Sequence, residues 1–250
     1  MPEETIENPS SIIMEIRAGT GGEEAALFAS DLFKMYSSYA RSKDWEQKIL
    51  DSHPTSLGGI KQVTFQIKGD DAWKRLRYEG GVHRVQRTPQ TEKGGRIHTS
   101  TATVAVLPKP KKKEIEIKPS DIKVDYYRAS GPGGQYTNRR ETAVRITHKQ
   151  SGIVVTSQTE RNQLENKESA MSILSARLME RKMQEQEEKL SGKRKDQIGS
   201  GERAEKIRTY NFPQSRITDH RIKKSWHDLE KIMGGKLDKV TKKLMKLMKK

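Results

Sequence analysis

The sequence predicts an α+β protein assembled from more than one part. Three observations carry that reading: short segments of strict apolar alternation, helical-period segments set between them, and a break rich in proline and lysine near residue 110. Ile12, Met14 and Ile16 alternate with Ile13, Glu15 and Arg17 as in a strand, and Ala18-Gly19-Thr20-Gly21-Gly22 ends it. A helix is expected next. Ala25, Leu27, Leu32, Phe33, Tyr36, Tyr39 and Ala40 form an apolar face, and Glu23 and Glu24 lie in the first turn, where the helix dipole favours anions. Val63, Phe65 and Ile67 alternate again, and Thr99 to Val106 alternates small apolar residues with threonine, so an antiparallel sheet is expected in the first ~110 residues. Pro108-Lys109-Pro110-Lys111-Lys112-Lys113 marks a boundary there or just after. Beyond it, Val124 to Tyr127, Ala143 to Thr147 and Ile153 to Ser157 read as strands, the last two joined by a turn at Gln150-Ser151-Gly152. Asn162 to Leu190 reads as a long helix with Met171, Leu174 and Leu178 on one face. Ser191 to Arg203 is expected to be exposed and mobile, a new segment opens at Tyr210-Asn211-Phe212-Pro213, and Ile222 to Lys250 is expected to be helical.

Composition narrows the class. Of 250 residues, 32% are hydrophobic and 33% charged, and 49 Lys plus Arg against 33 Asp plus Glu leave a net charge of +16. Counting glycine, the apolar share reaches only about 40%, below the globular norm, so the core must be modest and the surface large. No run approaches the ~18 apolar residues that cross a bilayer, and Met1-Pro2-Glu3-Glu4-Thr5 has no apolar signal core, so a soluble, non-secreted chain without a membrane partner is expected. The absence of cysteine excludes disulfides, zinc-thiolate sites and a thiol nucleophile. A positive surplus of this size points to a polyanion, with nucleic acid the first suspect.

The most specific feature is the loop Gly131-Pro132-Gly133-Gly134-Gln135. Its glycines let the backbone approach a ligand closely, and a single uncharged amide follows. A hairpin tip is the bland alternative, but the irregular segment runs from about Ala129 to Asn138 and is flanked by Arg128, Arg139 and Arg140, longer than a hairpin turn needs. Other motifs are weaker. Gly19 to Gly22 opening a helix could cradle a phosphate, yet Glu23 and Glu24 would repel one and suit a base N–H instead. Gly192-Lys193-Arg194 fails the P-loop pattern, and the six histidines lack metal-ligand spacing, so no metal and no cofactor are expected. Ser130, His148 and Asp125 lack the nucleophile-elbow pattern. The C-terminal stretch supports two readings: Leu237, Val240, Leu244 and Leu247 recur at helical steps, as in a helix packed on its own domain, while Lys242, Lys243 and Lys246, with Lys239, Lys249 and Lys250, could bind RNA phosphates.

Gly133-Gly134-Gln135, preceded by Arg128-Ala129-Ser130-Gly131-Pro132 and followed by Ala143-Val144-Arg145-Ile146-Thr147-His148, resembles the catalytic domain of class I peptide chain release factors. Four further segments match the release factor 1 branch of that family in order: Arg17 to Ala26, Gly81-Val82-His83-Arg84-Val85-Gln86-Arg87, Gly95-Arg96-Ile97-His98-Thr99-Ser100, and Arg208-Thr209-Tyr210-Asn211-Phe212-Pro213-Gln214. The resemblance covers roughly residues 11 to 235. It implies a codon-recognition α+β domain over residues 1–112, an inserted α+β hydrolysis domain over 113–208, and a C-terminal segment over 209–250 that completes the first domain and carries the basic tail.

The resemblance also implies a mechanism. Gly133, Gly134 and Gln135 would enter the ribosomal peptidyl-transferase centre and promote hydrolysis of the peptidyl-tRNA ester. Gln135 is uncharged and cannot be a general base, but its backbone N–H can stabilise an oxyanion, an effect worth ~10²–10³ in rate. The activity would be expressed only within the ribosome, so whether the isolated chain counts as an enzyme stays open. Methylation of Gln135 by a glutamine methyltransferase is expected from the family. Pro89-Gln90-Thr91 stands where that branch carries its Pro-x-Thr tripeptide; with Gly21 and Glu24 on the first uridine, His98 stacked on the codon, and Gln86 and Thr99 on the third base, it would read UAA and UAG but not UGA. Arg128, Arg139, Arg140, Lys242, Lys243 and Lys246 would contact RNA. Partners implied are the ribosome with its RNA, the stop codon and P-site peptidyl-tRNA, bound by a cytoplasmic monomer. The family's N-terminal helical domain is not recognisable here, which leaves stimulation by the recycling GTPase open and keeps rescue of stalled ribosomes as an alternative. A non-catalytic RNA-binding protein would require the glycine loop to be idle.

Overall fold

The computed structural model describes residues 9–89, 94–109, 117–128 and 140–248. They fall into two units: Met1–Lys109 with Leu190–Lys250, and Pro110–Lys189.

The first unit is built on one eight-stranded sheet. Its strands are β1 (Ser11–Ala18), β2 (Glu46–Pro54), β3 (Ile60–Lys68), β4 (Gly81–Arg87), β5 (His98–Pro108), β9 (Lys206–Asn211), β10 (Arg216–Asp219) and β11 (Lys224–His227), in the order β11-β10-β9-β4-β5-β1-β3-β2. Alternation in β1 and β3 puts Ile12, Met14, Ile16, Val63, Phe65 and Ile67 on the face covered by helix α1 (Glu23–Ser42), whose Phe28, Leu32, Met35, Tyr36 and Tyr39 are fully buried. A short helix, α2 (Ala72–Leu76), lies between β3 and β4. Most ladders are antiparallel, but β4 pairs in parallel with β9, so the sheet is mixed. A parallel pair needs a long crossover, and more than a hundred residues separate these strands in sequence. The C-terminal segment thus supplies three strands of the sheet.

A buried polar cluster fixes that return. Arg208 donates from Nη1 and Nη2 to the Glu79 carboxylate at 2.6 and 2.9 Å, and Asp219 lies 3.3 Å from Nη2. Tyr36 donates to Glu79 at 2.8 Å. His83 Nε2 lies 2.9 Å from the Glu79 carbonyl, which can only accept, so Nε2 carries the proton and Nδ1 accepts from the Tyr210 hydroxyl at 3.0 Å. Burial, then the nearby Arg208 charge, pushes the His83 imidazole down to about 4. Burial alone would raise the Glu79 carboxyl, but the charge and hydrogen bonds of Arg208 outweigh it and hold Glu79 below the usual carboxylate range.

The second unit is smaller. Strands β6 (Ile122–Tyr127), β7 (Ala143–His148) and β8 (Val154–Ser157) form an antiparallel sheet in that order. Helix α3 (Gln163–Ile198) packs Ala170, Leu174 and Leu178 onto Val144, Ile146 and Val155. These three helix residues and Asn166 recur every four positions, the narrow stripe that a small sheet can cover.

Two expectations fail. The long helix does not end at Leu190, and Ser191–Arg203 is not irregular throughout: the helix runs to Ile198, with Gly192 the sole glycine inside it, and it stops at Gly199 with φ +58°. Gln197 there bonds both backbone groups of Val106, and Arg194 pairs with the buried Glu15 at 2.9 Å, so the second crossing between units falls near Leu190 rather than at residue 208. Ile222–Lys250 is not one helix either. It holds β11, then α4 (Leu229–Met233) and α5 (Asp238–Leu247), divided at Gly234-Gly235, where Gly235 takes φ +101° against α1. Leu237, Val240 and Leu244 enter the core, whereas Leu247 is exposed.

Candidate nucleic-acid interface

In the first unit the residues singled out from the sequence gather around the N-terminus of α1. The turn after β1 is laced to β5: Gly19 N–H donates to the Thr101 carbonyl at 2.8 Å, Thr20 N–H to Thr101 Oγ1 at 2.9 Å, and Thr101 N–H to the Thr20 carbonyl at 2.9 Å. Two of the N–H groups that a phosphate cradle would need are therefore already committed. Gly21 has φ +135°, and a Cβ there would collide with the Ser100 side chain, so this approach demands glycine.

Glu24, in the first turn of α1, is 5% exposed. Its Oε1 accepts from Arg87 Nε at 2.6 Å, and the same guanidinium donates from Nη1 to Asp31 at 2.7 Å while lying 5.2 Å from the centre of the Phe212 ring. Glu24 Oε2 is also buried yet has no hydrogen-bond partner among the described residues. It is an acceptor held in place and unspent. The β4–β5 ladder sets Gln86 opposite Thr99 and Arg87 opposite His98. Gln86 Oε1 accepts from Asn211 Nδ2 at 3.3 Å, and its carbonyl accepts from Phe212 N–H at 3.0 Å, so the returning segment buttresses it. The structure thus brings together Gly21, Glu24, Gln86, His98 and Thr99. Pro89 is buried just beyond β4; Gln90 and Thr91 lie outside the described residues.

In the second unit, Tyr127 at the end of β6 is the ladder partner of Ala143 at the start of β7, so the chain between them leaves and re-enters the sheet at one point. Gly133, Gly134, Gln135 and Arg139 lie outside the described residues, whereas Arg128 and Arg140 are exposed on either side of the root. Two carbonyls on the returning side are held from α3: Glu141 accepts from Gln163 Nε2 at 2.8 Å and Thr142 from Asn166 Nδ2 at 2.9 Å. His148 turns to Ser151, with Nδ1 2.8 Å from its Oγ, and Asp125 pairs with Lys123. On α5, Lys242 and Lys246 are exposed and Lys243 is half-buried. Among the described residues no cluster of three or more His, Asp or Glu side chains is placed to hold a metal, and no helix is long and apolar enough to cross a membrane.

Sequence reasoning missed Arg87, Asp31, Asn166 and the Arg208 cluster. Arg87 stood inside a recognised motif, but its acidic partners are 63 and 56 residues away, and nothing local announces such a pairing.

Residues 1–104 match the PCRF domain and residues 111–221 the RF-1 domain. The chain belongs to the peptide chain release factor family. Within it, the chain is 59% identical over 230 residues to peptide chain release factor 1 of Carboxydothermus hydrogenoformans, covering 92% of this chain and 64% of that one. It is 58% identical over 233 residues to peptide chain release factor 1 of Thermotoga maritima, covering 93% and 68% respectively. The chain therefore spans about two thirds of the length of these relatives. Among solved structures, RF2 of Thermus thermophilus matches 98% of this chain and 70% of its own, with a TM-score of 0.59 and 35% identity.

Proposed function

We propose that this chain terminates translation: it reads UAA and UAG in the ribosomal A site with its first unit and promotes hydrolysis of the peptidyl-tRNA ester through Gly133-Gly134-Gln135. The observation that carries the proposal is the convergence of Gly21, Glu24, Gln86, His98 and Thr99 around one helix tip, with a buried carboxylate oxygen that has no partner among the described residues. Single-stranded RNA is read by stacking and by hydrogen bonds to base edges, and uracil presents an N–H that such an oxygen can accept. Pro89, Gln90 and Thr91 join this set through the β4–β5 connection, whose root is the Arg87–His98 pair. At the ester, the backbone N–H of Gln135 stabilises the developing oxyanion, and Gly133 and Gly134 permit the backbone conformation that aims it. Arg128, Arg139, Arg140, Lys242, Lys243 and Lys246 supply phosphate contacts, and Gln135 is the substrate of a glutamine methyltransferase. The chain works as a cytoplasmic monomer.

The deciding experiment measures release of labelled peptide from ribosomes carrying UAA, UAG, UGA, a sense codon or a truncated message in the A site. Release on UAA and UAG alone is expected, and Gly134→Ala should abolish most of it while ribosome binding persists. Release confined to the truncated message would replace termination with rescue, and release on none would leave an RNA-binding protein.

A further inference from the structure

Asn166 is a neutral side chain that is 0% exposed, and it spends its whole hydrogen-bonding capacity. Nδ2 donates to the Thr142 and Glu160 carbonyls, each at 2.9 Å. Oδ1 accepts from Ser157 Oγ at 3.0 Å and from Glu160 N–H at 3.1 Å. One amide therefore joins the end of β8, the turn leading into α3, the first turns of α3, and the strand by which the glycine loop returns to the sheet. Gln163, one turn earlier, holds the adjacent carbonyl of Glu141 from an exposed position.

We propose that Asn166, assisted by Gln163, is the positioning residue for the loop that carries Gly133-Gly134-Gln135, a role that rests on the reading of the chain as a peptide-releasing factor. The physical argument is one of leverage. Tyr127 and Ala143 fix the loop's base as a ladder pair, but such a pair leaves the direction of departure to the residues just outside it. On the returning side those residues are Glu141 and Thr142, and both of their carbonyls are pinned to one rigid helix. An oxyanion donor acts only when held at the right distance, and a displacement of about 1 Å costs about 10²-fold in rate. Asn166 touches neither the ester nor the ribosome in this scheme; it sets where the loop starts.

Asn166→Asp tests this at constant shape. One carboxylate oxygen keeps the Ser157 and Glu160 N–H bonds, while the other faces the Thr142 and Glu160 carbonyls and repels them. Ser157→Ala is the control, since it removes a bond from the same amide, at Oδ1, and leaves the bonds to the Thr142 and Glu141 carbonyls in place. With the full chain on UAA-programmed ribosomes, Asn166→Asp should lower the release rate at saturation by about 10- to 100-fold and leave the half-saturation concentration within about threefold. Ser157→Ala should leave both within about threefold, and Gln163→Ala should fall between. An unchanged rate in Asn166→Asp, or equal losses in Asn166→Asp and Ser157→Ala, overturns the proposal. Amide hydrogen exchange over residues 140–148 provides a second reading that needs no ribosome: faster exchange in Asn166→Asp than in Ser157→Ala is expected, and equal exchange overturns the role. If the unsubstituted chain releases no peptide on any message, the functional reading fails, and the exchange comparison still decides whether Asn166 holds the loop root.

Discussion

The two units hold their informative residues by opposite means. The first buries charge: Glu15, Glu24, Glu79, Arg208 and Asp219 all lie within it at 5% exposure or less, with the neutral His83 beside them, most of them tied to partners tens of residues away. The second, among the described residues, buries polar side chains only at Ser157 and Asn166, both neutral and both bonded to near neighbours. A charge pair in a dry site is costly to break and costly to assemble, because each ion left alone keeps its desolvation penalty. Neutral amide bonds are weaker singly but add no dependence on protonation. The first unit should therefore be the more sensitive to acid, and the second indifferent to it over the same range.

The largest effect expected on this difference comes from the Arg208 cluster. Arg208→Met leaves Glu79 buried without its counter-charge and leaves Asp219 with Arg221 alone, a loss of about 3–5 kcal/mol. Acid acts on the same place without substitution. Because folding lowers the His83 imidazole to about 4, the unfolded chain takes up a proton that the folded chain refuses between pH 6.5 and that value. The stabilisation is thus fully present above pH 6.5 and falls by about 3 kcal/mol as pH drops to 4. Below that, protonation of Glu79 and Asp219, both lowered in the fold, continues the loss. All three tryptophans, Trp45, Trp73 and Trp226, belong to the first unit, so their fluorescence follows its unfolding alone. Thermal melts by fluorescence should move to lower temperature between pH 7 and 4, while hydrogen exchange in β6, β7 and β8, corrected for its intrinsic pH dependence, should not report earlier opening. Simultaneous acid loss of both units would remove the contrast.

A middle-sized effect tests whether the charges also serve recognition. Arg87→Gln strips Glu24 of its guanidinium, and the buried carboxylate loses its counter-charge and its fixed direction. If Glu24 meets a base, the half-saturation concentration on UAA ribosomes should rise by about 10- to 100-fold while the release rate at saturation changes little, the reverse of the pattern expected for Asn166→Asp. A fall in the saturated rate with unchanged half-saturation would move Arg87 from reading to chemistry.

How much of this could be read from the chain alone follows the same division. Local periodicity was enough for β1, α1, β3 and all three strands of the second unit, where one face is covered more than the other, and for β5, whose small apolar residues and threonines read as a strand although both its faces are buried. It failed for β2, whose residues are nearly all exposed and show no alternation, for β4 and β9, which pair with each other across more than a hundred residues, and for β10, which is only four residues long. The end of α3 was misread because Ser191 to Arg203 is polar and rich in glycine, when tertiary bonds from Gln197 and Arg194 hold the extra turns. At the site, Gly21, Glu24, Gln86, His98 and Thr99 lie around the α1 tip, but their supports do not announce themselves. Arg87 looks like any basic surface residue until Glu24 and Asp31 are placed beside it, and Asn166 looks like a polar helix position until its four bonds are counted.

The smallest effect concerns α5, where both readings of the basic tail meet. Leu237, Val240 and Leu244 are core residues, and Asp238 binds Lys43 and Arg75, so the helix is anchored on its own domain whatever its lysines do. That leaves Lys242 and Lys246 on the exposed side, where exchange for glutamine keeps helix propensity and removes only charge. If these lysines meet RNA phosphates, the double substitution should weaken ribosome binding by a few tenths to about 1 kcal/mol at low salt, with the slope of log affinity against log salt reduced by up to about 2. The fluorescence melt should stay in place, since neither lysine supports the core. An unchanged salt slope would mean that α5 does nothing but pack. The +16 surplus would then have to act through other groups, with Arg128 and Arg140 at the loop root next in line.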